Sequence, residues 1–395
     1  MSSSQPQYFR GQRALQWLDQ LVVRCCVAVL VALSASTVPA AGLVRVSDGK
    51  NEYEGKVVAL SRTQCSMIDR QGQLLHLKVG TLRNFEKVSD RFQSQPANIF
   101  RDALRREFSG NYEVSGTTHY LVCAPKGRGK RYGDLFESIY RDVEHFYRVN
   151  GFNIHSPDVP LVAVVFGSQK EFFNYCIQDK VPPSSGLMGY YSLRTNRVAL
   201  YDDERLLSAR PSDAQKSLGS TSASIAAFAG ISGETANTII HETTHQVGYN
   251  IGIHSRLGGT PLWIVEGLAT VLEPDGMRHR TGRRQMEDRI NEERMGWFEG
   301  QHRPSRSMGS LSKLIASDTF FHQRTLNSYS ESWAFCYFLL ENSSRRRNLV
   351  NYLQKVSQRD ASKQYTARQR LADFQEVFGD ISRLEIEFIR FMDRI

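Results

Sequence analysis

The sequence predicts an α+β fold: a mixed sheet packed on helices, a small β module ahead of it, and a helical C-terminal half. Three observations support this. Residues 43–88 alternate like short strands, strand-like and helix-like segments alternate between 97 and 280, and the remainder has apolar residues at helical spacing. Strands that alternate with helices are typical of such a sheet packed on helices. The predicted divisions of the chain are 1–41, 42–90, 97–280 and 281–395.

The first 41 residues have the pattern of an export signal. Arg10, Arg13 and Arg24 form a positive region, and Cys25 to Ser36 is an apolar core too short to span a bilayer comfortably. Small residues then precede a cleavage position after Ala40. We expect a cleaved signal peptide or an uncleaved signal anchor, which would be the only membrane contact. The rest of the chain is then exported, in the periplasm, at the cell surface or secreted.

Residues 42–90 are predicted to form a small SH3-like β-barrel. Turn signals at Asp48-Gly49, Gln71-Gly72 and Gly80 separate strand-like segments. These segments are LVRVS, GKVVALS, CSMIDRQG and QLLHLKVG. The barrel is either a binding module or a stabilising appendage, and the pattern leaves both open.

The 97–280 region is predicted to hold the mixed sheet. Its strand-like segments are NYEVSGTTHYLVCAP (111–125), the continuous apolar run VPLVAVVF (159–166), and the hairpin-like MGYYSLRTNRVALYDD (188–203). Helices are predicted at 132–149 and from Ser168 to Gln178. The helices predicted in the C-terminal part are 283–298, 329–342, 346–357, 366–377 and 381–394.

Composition narrows the class of protein. A hydrophobic fraction of 41% and a charged fraction of 23% are those of a soluble globular protein. The net charge of +9 is mildly basic, and we expect no nucleic-acid partner. Outside the signal, the cysteines are far apart and form no C-x-x-C pair, so mostly buried thiols are expected, although one pair could be oxidised after export. These cysteines are Cys65, Cys123, Cys176 and Cys336.

The segment His241-Glu242-Thr243-Thr244-His245 contains the predicted catalytic glutamate and two predicted metal ligands. It lies in a proline-free run, 233–252, with an apolar stripe and small polar residues before it, which predicts a helix. Residues four apart share one helical face, so His241 and His245 can grip one Zn²⁺. Glu242 is then close enough to act on water at the metal, which is why H-E-x-x-H indicates a zinc hydrolase.

A third ligand is predicted on a second helix. Thr260-Pro261 is a helix start signal, and the helix over 261–273 contains Glu266, 21 residues after His245. Two helices joined by a short turn can bring this carboxylate back to the histidines, which gives a His₂Glu set for one zinc ion. The alternative motif with a third histidine requires His at position 251, where Ile251 stands. We therefore expect His254 to be a surface or loop histidine.

Four segments occur in the order found in a known group of proteins. They are G-Y-Y-x-x-x-x-N-R-V-A-L-Y (189–201), H-E-T-T-H-Q (241–246), P-L-W-I-V-E-G-L-A (261–269) and Y-S-E-S-W-A-F (329–335). The W-I-V-E-G-L-A segment resembles the third-ligand segment of gluzincin metallopeptidases. The series resembles uncharacterised exported peptidase-like proteins of planctomycete bacteria, over roughly 110–340. The resemblance implies zinc at His241, His245 and Glu266, with Glu242 as the catalyst.

Two features depart from similar gluzincins. The G-x-M-E-N segment that binds a free amino terminus in aminopeptidases is missing, which favours endopeptidase action. Thermolysin-like enzymes have an acidic residue four positions after the third ligand, where this chain has Thr270. The carboxylate that usually orients a ligating histidine must then come from elsewhere or be absent. Tyr329 is the candidate oxyanion donor, by resemblance, and the alternative is a core aromatic beside Trp333 and Tyr337.

The resulting function prediction is a zinc-dependent exported endopeptidase acting on a peptide or protein substrate. Glu242 would accept a proton from the attacking water and pass it to the leaving amine. A strand within 189–201 could pair with an extended substrate. Two alternatives stay open: a non-catalytic exported binding protein that retains the fold, and a zinc amidase acting on cell-wall material.

Overall fold

The computed structural model describes residues 42–108, 110–202, 233–278 and 285–395. The chain divides into two compact units, Met1–Gln95 and Pro96–Ile395. The predicted export signal, 1–41, lies outside the described residues. None of the described helices is both long and apolar enough to cross a membrane.

The first unit contains a five-stranded antiparallel sheet with the order β4-β3-β2-β1-β5. Four of its strands match the predicted segments, and the fifth was not predicted. A small buried cluster that includes Val46, Cys65 and Met67 holds the sheet together. The strands are β1 (Leu43–Ser47), β2 (Glu52–Leu60), β3 (Gln64–Asp69), β4 (Leu74–Lys78) and β5 (Arg83–Ser89).

The closed SH3-like barrel predicted for this unit is not shown. Strands β4 and β5 lie at opposite ends of the strand order, and each pairs with one neighbour among the described strands. The physical reason is that alternation predicts strands, whereas closure depends on pairing between the two end strands, which alternation does not encode.

The second unit is built on a five-stranded mixed sheet, as predicted, with the order β6-β7-β8-β10-β9. Strands β7, β8 and β10 are parallel, and β6 and β9 are antiparallel edges. The strands are β6 (Tyr112–Gly116), β7 (Tyr120–Pro125), β8 (Leu161–Phe166), β9 (Gly189–Ser192) and β10 (Arg197–Tyr201). Every residue of β8 is buried, because helices cover both faces of the sheet.

Helices make up most of the second unit, and its C-terminal half is helical, as predicted. Several helices differ from expectation: those at 97–107, 275–278, 310–316 and 319–323 were not predicted, and the helix at 292–297 is much shorter than the predicted 283–298. The helices are α1 (Ala97–Glu107), α2 (Gly129–Val149), α3 (Gln169–Gln178), α4 (Gly233–Asn250), α5 (Leu262–Val271), α6 (Asp275–Arg278), α7 (Glu292–Trp297), α8 (Ser310–Ala316), α9 (Thr319–Gln323), α10 (Thr325–Leu340), α11 (Ser343–Ser357), α12 (Ala367–Phe378) and α13 (Ile381–Met392).

The two faces of the mixed sheet pack into different cores. Val122, Ala163 and Leu200 join the large core, which contains residues of α2, α4, α5 and α10. The alternate strand residues face a smaller core with side chains of α1 and α3. This alternation fixes the side of the sheet on which α4, the helix with the H-E-T-T-H segment, lies.

Close packing of α5 on α10 positions the helix that carries Glu266. A Cβ atom at Gly267 would lie 2.5 Å from Cys336 Sγ and 2.6 Å from Ser332 O. Glycine is therefore required beside Glu266, since any side chain would push the two helices apart. The four cysteines outside the signal are free and buried, which confirms the expectation of buried thiols.

Candidate metal centre

The two histidines of α4 face each other as predicted. His241 Nε2 and His245 Nε2 are 3.0 Å apart, and the ring planes are nearly perpendicular, at 89°. Their side chains are only 15% and 9% exposed. One turn of helix therefore aims two imidazole nitrogens at a single point.

Glu266 of α5 completes the group. Its Oε2 lies 3.3 Å from His241 Nε2 and 3.3 Å from His245 Nε2. Ligand atoms that lie about 2.0–2.1 Å from a tetrahedral ion are about 3.3 Å from each other, so these separations suit one metal ion. The three residues could hold a metal ion, because all three ligand atoms lie within 4.8 Å of one another.

The burial and ionisation of the Glu266 carboxylate are also consistent with a bound cation. Its Oε2 is buried and receives no hydrogen bond from the part of the chain that the structure describes. Burial alone would raise the pKa of Glu266, but His245 and His241 hold it well below its ordinary value, so the carboxylate is ionised. A buried carboxylate oxygen without a hydrogen bond is rare unless a cation satisfies it.

Glu242 lies beside this group and is held by the sheet. Its Oε2 accepts a hydrogen bond of 2.7 Å from the backbone N–H of Tyr191 in β9. Strand β9 is an edge of the mixed sheet, paired with β10 on one side. An edge strand therefore borders the candidate centre and fixes one carboxylate oxygen of Glu242.

The hairpin that carries Tyr191 is tied to α4. Gln246, directly after the H-E-T-T-H segment, donates to Asn196 O at 2.8 Å and to Val162 O at 3.0 Å. Asn250 Nδ2 and Tyr191 Oη both bond to Asn196 Oδ1, at 2.7 and 2.8 Å. These bonds keep the edge strand at a fixed position relative to the histidines.

The carboxylate that orients His241 is Glu273, which the sequence reasoning missed. Glu273 Oε1 lies 2.8 Å from His241 Nδ1, and Asn291 Nδ2 donates to Glu273 Oε2 at 2.6 Å. The sequence did contain a signal for this residue, since Glu273 follows Glu266 by seven residues, or two turns along one face of the predicted helix 261–273. In the structure Glu273 lies just beyond the C-terminus of α5. Thr270, the position first considered, donates to Glu266 O instead.

Tyr329 lies beside the histidines, inside α10 rather than ahead of it. Its ring centroid is 6.4 Å from that of His241 and 5.6 Å from that of Phe321. Burial and the nearby carboxylates of Glu266 and Glu242 raise the pKa of Tyr329 well above its ordinary value. The hydroxyl therefore stays protonated and can donate a hydrogen bond.

His254 is not one of the three residues that could hold a metal ion, and it lies in a loop, one of the two positions expected, but it is buried rather than at the surface. It lies in the loop after α4 and is 6% exposed. A Cβ at Gly248 would lie 3.0 Å from His254 Cδ2, so the glycine leaves room for this ring to pack against the helix. Burial and the nearby His245 lower the pKa of His254 to about 3, so its imidazole is neutral.

Comparison with known proteins gives a partial match. A family described as "Protein of unknown function (DUF1570)" matches residues 235–362. A search of curated proteins finds no match. The matched range contains the three potential ligands, Glu242, Glu273 and Tyr329, whereas Tyr191 lies ahead of it. The chain therefore contains a DUF1570 domain, of a family with no assigned function, and this domain includes all of the candidate centre except the edge strand.

Proposed function

We propose that the protein is a zinc-dependent endopeptidase of the gluzincin type that acts outside the cytoplasm. The observation that carries the proposal is the convergence of His241, His245 and Glu266 on one point, with the Glu242 carboxylate alongside. Nitrogen and carboxylate ligands in a set of three are typical of catalytic zinc sites, which keep one position open. The export pattern of the sequence supports the location.

The residues of the chain fit the steps of peptide hydrolysis. When bound, zinc lowers the pKa of water at the site towards 7 and polarises a carbonyl group. Glu242 accepts the proton of the attacking water and donates it to the leaving amine. The Tyr191 N–H holds one oxygen of Glu242, which leaves the other oxygen free for this proton.

Further residues support catalysis by orientation. Glu273 accepts the Nδ1 proton of His241, which selects the tautomer with a free lone pair on Nε2. Tyr329 is proposed to donate a hydrogen bond to the oxyanion that develops on the carbonyl oxygen. β9 is an edge strand among the strands that the structure describes, and its backbone groups other than the Tyr191 N–H could pair with an extended peptide, which favours a peptide substrate.

Digestion of a peptide library by the full-length protein tests this function. We expect internal cleavage, including peptides with blocked termini, loss of cleavage after chelation, and recovery on addition of zinc. Glu242→Gln should be inactive but keep its metal, because the Glu242 carboxylate is not among the three ligands. Glu376→Gln, which changes an exposed carboxylate, is the matched control and should cleave like the wild type. A wild-type protein that holds metal but cleaves no peptide would refute the peptidase proposal.

A further inference from the structure

A cavity of about 70 Å³ lies where α8, α9 and α10 meet, lined by residues distinct from the candidate metal ligands. It has several times the space that one water molecule needs. Its lining contains three cationic side chains, Arg306, Lys313 and Arg324, and one carboxylate, Glu331. The cavity is therefore rich in positive charge, and its affinity for an anion depends on which of these cationic side chains lack a carboxylate partner.

The charges of Glu331 and Arg306 are balanced by partners within the protein. Glu331 is 3% exposed and accepts hydrogen bonds from Arg306 Nε and His302 Nε2, both at 2.8 Å, and from Ser310 Oγ at 3.0 Å. Arg306 also bonds to the buried Glu385 at 2.5 Å. Neither Arg306 nor Glu331 is therefore available to a ligand as an unpaired charge.

Several other side chains of the lining have unused donors or positive charge. Lys313 and Arg324 are exposed lining residues with no carboxylate partner among the residues that the structure describes. Asn327 Oδ1 is occupied by Trp297 Nε1, which leaves its amide N–H groups free. The hydroxyls of Ser307 and Ser328 make no hydrogen bond within the described chain. Unused donors that converge on one cavity are the expected recognition set for an anion.

Apolar groups complete the cavity. Leu314 and Phe320 line it next to these donors. Two exposed apolar side chains, Met308 (64%) and Leu326 (45%), directly adjoin lining residues in the sequence. Sites for small organic molecules combine apolar walls with a few placed polar groups in this way. We propose that this cavity binds a small organic carboxylate, with its oxyanion on Lys313 and Arg324 and its apolar part against Leu314 and Phe320.

Isothermal titration of the full-length protein tests the proposal with three probes. N-acetylphenylalanine carries a carboxylate and an apolar group, its amide lacks the charge, and inorganic phosphate lacks the apolar part. We expect N-acetylphenylalanine to bind at least about tenfold tighter than either of the others, since charge-assisted hydrogen bonds and apolar contact both contribute. Equal binding of the amide, equal or tighter binding of phosphate, or no binding of any probe would overturn it.

Variants locate the binding. Lys313→Gln/Arg324→Gln should weaken N-acetylphenylalanine binding about tenfold or more. Lys363→Gln/Arg383→Gln removes the same charge from exposed positions and should leave binding unchanged. The candidate metal centre is a second place where a carboxylate can bind, so the titration is repeated on Glu266→Ala and on chelated wild type. Far-ultraviolet circular dichroism checks that both are folded. Binding retained in both assigns it to the cavity independently of the proposed peptidase function. Binding lost on chelation, or unchanged in the cavity variant, contradicts the proposal.

Discussion

Replacement of Glu273 gives a quantitative prediction about the candidate metal centre. Glu273 contacts His241 Nδ1 at 2.8 Å and is itself held by Asn291 at 2.6 Å. Glu273→Ala removes both the charge that increases the basicity of the ligating imidazole and the acceptor that fixes the ring. Loss of such a carboxylate typically costs roughly 10–100-fold in metal affinity, which is about 1.4–2.7 kcal/mol.

We expect Glu273→Ala near the upper end of that range and Glu273→Gln near the lower end, because an amide oxygen can still accept from His241 Nδ1. The assay is competition for zinc with a chromophoric chelator at constant pH, using the full-length protein. Glu376→Gln again serves as the control for a carboxylate far from any ligand. Wild-type zinc affinity in Glu273→Ala would refute the assignment of Glu273 as the residue that orients His241.

Three further predictions concern packing, pH and catalysis. Gly267→Ala should lower the free energy of unfolding by about 1–3 kcal/mol, measured in urea, because its Cβ would lie 2.5 Å from Cys336 Sγ. Burial raises the pKa of Glu331, but its ion-pair partners His302 and Arg306 outweigh this and hold it below the ordinary 4.5. The ionised Glu331 carboxylate therefore stabilises the fold above pH 4.5, and this stabilisation is lost as the pH falls through the lower pKa of the folded state. Acid unfolding should consequently depend less on pH in Glu331→Gln than in the wild type. Tyr329→Phe should reduce kcat about 10²-fold with unchanged metal content, and an unchanged kcat would exclude the oxyanion role.

The coarse fold and the grouping of His241, His245 and Glu266 could be predicted from the sequence because both depend on local patterns. His241 and His245 are one helical turn apart, and Glu266 follows a helix start signal, so their positions needed only helix geometry. The continuous apolar run at 159–166 predicted a strand, and β8 is that strand.

The features that sequence reasoning missed depend on contacts between distant segments. The bond from the Tyr191 N–H to Glu242 joins residues 51 positions apart, and a backbone group leaves no trace in residue identity. Asn291 reaches Glu273 from the N-terminus of a different helix. Burial of His254 depends on Gly248, six residues earlier. Strand alternation carries no information on whether the first sheet closes.

Metal content is the most direct test of the central claim that His241, His245 and Glu266 form one metal site. The full-length wild type, Glu266→Ala and Glu242→Gln are purified in parallel, and their metal content is measured by inductively coupled plasma mass spectrometry. We expect close to one zinc per wild-type chain, a large loss in Glu266→Ala and full retention in Glu242→Gln. Zinc at the wild-type level in Glu266→Ala, or none in wild type supplied with zinc, would contradict it.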